Sequence, residues 1–304
     1  MANNKIAKTL LKVFVSLFLF WFLYYTGKLD LTLVIKALNT FKPFYAALVI
    51  VFLVLNYVIS SFRWHVLILE GADKVKVTEL IRYYFIGSFF NNFMPTSIGG
   101  DVYKIHKLNK KIGNMPHAFS ATFMERFTGV LVLVLLAYIG LLGSSSTVFD
   151  LIHPKYQLIV KLMFYVGFWV CLVGGFFVLK FAASRHSKLA EFYSIMRVYF
   201  TKKSILFYAF VTSLIVQLLG IFTQFFIFKG LGVNLNVLYS LLVFPIITLA
   251  SFFIPSLNGL GVQDLLYERL FIGVTLAITA SLLYHFFRLL VSLIGGILYA
   301  FEKN

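Results

Sequence analysis

Phe90-Asn91-Asn92-Phe93-Met94-Pro95-Thr96-Ser97-Ile98-Gly99-Gly100-Asp101 interrupts an otherwise apolar stretch over residues 79–109. Ile254-Pro255-Ser256-Leu257-Asn258-Gly259-Leu260-Gly261-Val262-Gln263-Asp264 interrupts a second one over 236–272. In each, a proline removes a backbone donor and ends a helix. Glycines then let the chain turn, and an acidic residue opens a short polar-led stretch. Non-helical backbone in a bilayer is tolerated only where it is covered by protein or lines a water-filled cavity. Paired breaks of this kind are the mark of discontinuous or re-entrant helices at a binding site.

The rest of the chain supplies the membrane context. Of 304 residues, 61% are hydrophobic and 12% charged, against about 45–50% and about 25% in soluble domains. Mean hydropathy is +0.92. A soluble globular or disordered chain is excluded. Six prolines and the single Cys171 exclude collagen-like and disulfide-rich classes. The apolar runs are continuous over about 20 residues, the length of a spanning helix, and do not alternate as barrel strands do. Full spans are expected near 9–27, 44–69, 116–143, 156–181, 204–229 and 274–300. The expected fold is an all-α polytopic membrane protein, about six full spans plus two re-entrant or broken helix pairs. Residues 1–304 form one integral membrane domain. Lys5, Lys8 and Lys12 precede the first run as in a signal peptide, but no small-residue cleavage site follows, so that run is expected to remain as a helix.

The net charge is +16. The basic residues mostly sit between apolar runs, where they set orientation and attract anionic headgroups. Nucleic acid is therefore not an expected partner. Placing both termini in the cytoplasm puts most of the 27 lysines and arginines on that side. Each half, about 1–150 and 151–304, then reads span, span, broken segment, span, with the second half entering from the opposite face. This is an inverted-topology repeat, with Pro95 and Pro255 in corresponding places and a site expected between the halves. Two amphipathic connectors, 28–43 and 184–203, are expected to rest at the interface.

Polar groups at membrane depth are costly and mark sites. Around the first break, Asn91, Asn92, Gly99, Gly100, Asp101 and Lys104 form such a cluster. Asp101 and Ser97 can cap the following helix, whose N-terminus suits an anion such as phosphate. The second break carries Asn258, Gly259, Gly261, Gln263 and Asp264, then Glu268 and Arg269. Glu125 and Arg126 lie within a span and invite partners on other helices, or a structural ion pair. Arg63 and Trp64, near a span end, read as an interfacial anchor. Arg288 lies mid-span and must face a cavity or a carboxylate, for which Asp264 is the candidate. His285 reads as a packing residue. No P-loop, H-E-x-x-H, C-x-x-C or G-x-S-x-G pattern occurs. Neither cofactor, metal nor catalytic residue is expected.

These residues also carry a family resemblance. Phe90-Asn91-Asn92-Phe93-Met94-Pro95, Gly99-Gly100-Asp101-Val102-Tyr103-Lys104, Glu125-Arg126, Ile254-Pro255, Gly259-Leu260-Gly261-Val262-Gln263-Asp264 and Arg288, in that order, resemble the flippase-like family. It is also called the lysylphosphatidylglycerol synthase transmembrane-region family. The similarity covers about residues 10–300. The family pattern has Arg where Lys104 and Gln263 stand and Glu where Asp264 stands. The resemblance implies lipid translocation in a stand-alone member, without the soluble domain that carries synthase activity. The expected partners are membrane lipids: an anionic phospholipid, a glycolipid or a polyprenyl-phosphate lipid. A homo-oligomer or a lipid-synthesis enzyme is the protein partner to consider. The expected location is the cell (inner, cytoplasmic) membrane. The alternatives are an intramembrane lipid-modifying transferase, an hourglass channel of the aquaporin kind, which carries Asn-Pro-Ala at both breaks, and a scaffold for lipid synthesis.

Overall fold

The computed structural model describes residues 31–93, 99–143, 157–158, 161–162, 166–254, 256, 259–271, 273–274 and 276–302. All the regular elements among them are helical. The amphipathic α1 (Leu31–Thr40) precedes α2 (Pro43–Val66), which starts at a proline whose missing N–H costs nothing there. After a 3-10 turn, Ala72–Lys74, the first broken segment appears as α3 (Val77–Phe93) and α4 (Gly99–Ile112). α5 (Met115–Gly143) follows. The second half begins with α6 (Phe168–Ala183) and the amphipathic α7 (Ser187–Thr201). Then come α8 (Lys203–Gly230), α9 (Val237–Phe253), α10 (Val262–Leu270) and α11 (Ala277–Ala300).

α2, α5, α8 and α11 are long and apolar enough to cross a membrane. They coincide with the expected spans 44–69, 116–143, 204–229 and 274–300. α6 and α9 are shorter apolar helices. α6 covers the latter part of the expected span 156–181. The expected span 9–27 lies outside the described residues, as do Pro95, Ser97, Pro255 and Asn258. Large apolar side chains such as Val51, Leu55, Phe207, Phe210, Leu293 and Ile297 are exposed on the long helices. A water-soluble protein does not present apolar surface of this extent, whereas lipid tails match it.

The second break owes its shape to glycine. Gly259 and Gly261 adopt φ of 90° and 82°, which L side chains avoid. Asp264 Oδ2 accepts the Gly261 N–H at 2.7 Å and so closes the first turn of α10. At the other end of the segment, Asn236 Oδ1 accepts the N–H groups of Leu238 and Tyr239 and starts α9. Pro245 sits inside α9, where it removes one helical hydrogen bond.

The packing crosses between halves. α2 lies along α8, and α3 lies on α11 as α5 lies on α9. The first helix of each broken pair is thus held by the last long helix of the other half. Asn56 Nδ2 donates to the Val216 carbonyl at 2.8 Å, across 160 residues, the separation that also relates Pro95 to Pro255. Three contacts between helices run at backbone distance, two of them across the halves. A Cβ on Gly100 would collide with the Gly87 carbonyl, one on Gly295 with the Phe85 carbonyl, and one on Gly140 with the Leu242 backbone. One apolar core gathers Phe228, Phe244, Tyr267 and Phe271 from α8, α9, α10 and the turn after it. A second, toward the lysine-rich end, gathers Trp64, Leu67, Leu108, Met124 and Tyr199. There the Tyr199 hydroxyl donates to the Leu67 carbonyl at 2.5 Å and fastens α7 to the end of α2.

Candidate functional site

The crossing of α2, α3, α4, α5, α8, α9 and α11 leaves a cavity of about 290 Å³, lined in part by Asn91, Asp101, Lys104, Glu125, Arg126 and Arg288. These six come from both halves of the sequence. The start of α4 explains the first of them. Asn91 Oδ1, on α3, accepts the Gly100 N–H at 2.7 Å. The helix start is therefore capped from the preceding helix and not by Asp101. Asp101, in the first turn, is left to turn its carboxylate toward α5, where Oδ2 accepts from Arg126 Nε. Arg126 also lies over the Phe252 ring at the end of α9, 5.5 Å from its centroid.

Glu125 is the hub of the wall. Its Oε1 accepts from Arg63 Nη2 at 3.0 Å and from the Tyr84 hydroxyl at 2.5 Å. Its Oε2 accepts from Lys104 Nζ at 2.8 Å. Lys104 Nζ lies 3.5 Å from Asp101 Oδ1 as well, and over the Tyr84 and Trp64 rings at 4.1 and 4.8 Å. Arg63 Nη1 donates to Ser213 Oγ at 2.9 Å, and Ser213 in turn donates to Thr128 Oγ1 at 3.1 Å. Arg63, Lys104 and Glu125 are each at least 95% covered. Charges so far from water persist only when paired.

This arrangement corrects the reading of Arg63. An interfacial anchor would reach outward to headgroups, but Arg63 points inward, into the Glu125 network. The sequence reading missed Arg63, Tyr84 and Ser213 as members of the site. The available signal was that Arg63 and Glu125 are opposite charges within two long apolar helices, which at that depth seek each other.

The expected Asp264–Arg288 pairing is also corrected. Asp264 is fully buried, and its Oδ1 lies 3.5 Å from His285 Nε2. Arg288, one turn along α11, lines the cavity instead, with its guanidinium 5.1 Å from the Tyr284 ring centroid. His285 thus partners the cap of α10. Gln263 is buried, and its side chain occupies the space that a Cβ on Gly259 would need. Gly259, Gly261, Gln263 and Asp264 do not line the cavity. Their visible work is to close the break. Asn92 holds α3 to α11, with Nδ2 donating to Ser292 Oγ at 2.6 Å. Gly100 allows the close approach of α4 to α3, and Gly99 is the first residue of α4.

Counted as charges, the cavity wall carries Arg63, Lys104, Arg126 and Arg288 against Asp101 and Glu125. The cations outnumber the carboxylates two to one. Amides and hydroxyls of Asn56, Ser88, Gln217 and Thr248 complete the polar surface, and Leu53, Val130 and Leu133 make it partly apolar. Such a wall suits an anionic group that carries further hydrogen-bonding atoms. Among the described residues, no group of three or more His, Cys, Asp or Glu lies together as a metal site.

Compared with known proteins, residues 9–296 match the family described as "Lysylphosphatidylglycerol synthase TM region". No curated protein matches the chain, and neither does any solved structure.

Proposed function

Since the chain belongs to the lysylphosphatidylglycerol synthase TM-region family, a multi-pass membrane family with a lipid-related role, we propose that it is a flippase-like transporter. Its cargo is an anionic or glycosylated lipid, moved between leaflets. The observation that carries this reading is the excess of cations in the cavity wall, four against two carboxylates. A wall with this excess of positive charge favours an anion in the cavity, and a phosphate entering between Arg126 and Arg288 supplies one.

The lipid headgroup sits in the cavity while the acyl chains stay in the bilayer. At about 290 Å³ the space holds a headgroup and not a whole lipid. Arg126 and Arg288 each offer a planar fork that matches phosphate oxygens. Lys104 and Arg63 add field without moving, since Glu125 fixes both. Asp101 holds Arg126 in place and, with Asn91, can accept hydroxyl protons of a glycerol or sugar. The crossed packing of α3 on α11 and α5 on α9 supports an inverted repeat with both termini on the lysine-rich, cytoplasmic face. Alternating access would shift α3, α4 and α11 against α5 and α9 about the shared site. The reading is transport and not chemistry, so the lipid leaves unchanged.

The test is a leaflet assay. Proteoliposomes holding the full chain and a fluorescent phosphatidylglycerol are treated with dithionite, which quenches only the outer leaflet. The expected result is loss of signal beyond the outer fraction, faster than for phosphatidylcholine. Arg126→Gln with Arg288→Gln slows it. One charge-assisted hydrogen bond is worth about 1.5–3 kcal/mol, so each substitution weakens headgroup binding about ten- to hundredfold. Equal rates for wild type and the double variant, or a chemically altered lipid, would overturn the reading.

A further inference from the structure

A second recess lies apart from the cavity, where the start of α3, the end of α4 and the residues after α11 meet. It measures about 460 Å³ and is lined by Glu79, Arg82, Lys107, Lys110, Lys111 and Glu302, together with the rings of Tyr83 and Phe301. Here too four cations face two carboxylates. The Arg82 Nη2 donates to the Leu298 carbonyl at 3.1 Å, but its buried Nε has no hydrogen-bond partner among the described residues. Lys111 pairs with Glu79 at 2.7 Å. Lys110 is exposed and makes no ion pair among the described residues.

The recess already holds a carboxylate. The Glu302 oxygens accept from the Tyr103 hydroxyl at 3.0 and 2.8 Å, and Lys107 Nζ lies 3.2 Å from Oε2. An anion of the chain itself therefore occupies the position that these donors define. A stripe of exposed apolar side chains leads to the same place: Leu290, Leu293, Ile294 and Ile297 on α11, ending at Phe301, which is 81% exposed. A cationic recess at the head of an apolar stripe matches one kind of molecule, with a negative headgroup and hydrocarbon tails. On α4, Lys107 and Lys111 are one and two turns beyond Lys104, which lines the cavity.

We propose that this recess is a lipid-docking port. An anionic phospholipid lays its chains along α11 and its phosphate among Arg82, Lys107, Lys110 and Lys111, displacing Glu302, one to two helical turns along α4 from the cavity-lining Lys104. Its role as a feeder rests on the transport reading above, but docking does not.

The test is native mass spectrometry of the full chain in detergent, titrated with phosphatidylglycerol and, for comparison, with phosphatidylcholine. A lysine close to an anionic headgroup is worth about 1 kcal/mol, so Lys107→Gln with Lys110→Gln should weaken phosphatidylglycerol binding about thirtyfold. Glu302→Gln should tighten it severalfold, a gain that misfolding does not produce. Arg126→Gln should keep port binding while it slows leaflet exchange, so failure of transport and failure of docking read differently. Unchanged affinity in the double lysine variant overturns the port. So does displacement of the bound lipid by millimolar soluble glycerol phosphate as effective as by phosphatidylglycerol, because the site would then recognise phosphate without chains.

Discussion

Replacing Glu125 by Gln is the most informative single change. It keeps the shape and removes one charge from a network in which the side chains of Arg63, Lys104 and Glu125 are 5%, 5% and 2% exposed. After the change Lys104 keeps one carboxylate, Asp101 at 3.5 Å, beside the Tyr84 and Trp64 rings, and Arg63 keeps the neutral Ser213. Breaking a buried pair while its partners stay charged costs about 3–5 kcal/mol. Here two cations lose a carboxylate by one substitution, although Lys104 retains Asp101 and Gln still accepts from Tyr84 or one cation, so about 3 kcal/mol is the expected loss. That is a large share of the about 5–15 kcal/mol that separates folded from unfolded states. The assay is SDS titration in mixed micelles, read by tryptophan fluorescence, since Trp64 is fully buried against Lys104. Adding Lys104→Met to Glu125→Gln should restore part of the loss, with a coupling of about 1–3 kcal/mol. A loss below about 1 kcal/mol for Glu125→Gln, or strict additivity in the double variant, would refute the argument that these charges hold one another.

Asp264→Ala removes the cap of α10 and should cost about 1–2 kcal/mol in the same titration, while phosphatidylglycerol binding per folded molecule stays the same. Gly295→Ala drives a methyl into the Phe85 carbonyl and should destabilise by about 1–3 kcal/mol. Gly174→Ala meets nothing within 4 Å and should stabilise α6 by roughly 0.5–1 kcal/mol, seen as a higher unfolding midpoint. Tyr199→Phe deletes the bond to the Leu67 carbonyl and should cost about 0.5–1.5 kcal/mol, with faster hydrogen exchange confined to α7 and the end of α2.

The elements were legible where local chemistry decides them. Pro43 marks the start of α2, and Gly259 and Gly261 mark the start of α10, because a missing donor and a positive φ are properties of single residues. Partners were less legible. Arg63 stands three residues from the end of α2, and distance along the chain suggested snorkelling. Its partner Glu125 is 62 residues away on a helix whose neighbour the sequence does not name. The Asp264 error has a simpler origin. His285 and Arg288 are separated by one turn, about 4.5 Å along α11, and no hydropathy pattern tells which of them reaches the second break. The two breaks looked alike as strings of proline, glycine and acid. In three dimensions the first exposes its acid to a cavity and the second spends it on its own backbone.

The three glycine contacts set how the molecule can move. α3 is held at backbone distance by Gly100 on one side and by Gly295 on the other, so it has no layer of side chains in which to slide or roll. α3, α4 and α11 therefore form one stiff plate, and α5 with α9, joined at Gly140, form another. Arg126 is anchored on the second plate, while Asp101, Lys104 and Arg288 ride on the first. Any shear between the plates draws apart the Asp101–Arg126 bond and the bonds from Lys104 and Tyr84 to Glu125, so these three together are the latch whose strength sets how readily the two plates separate.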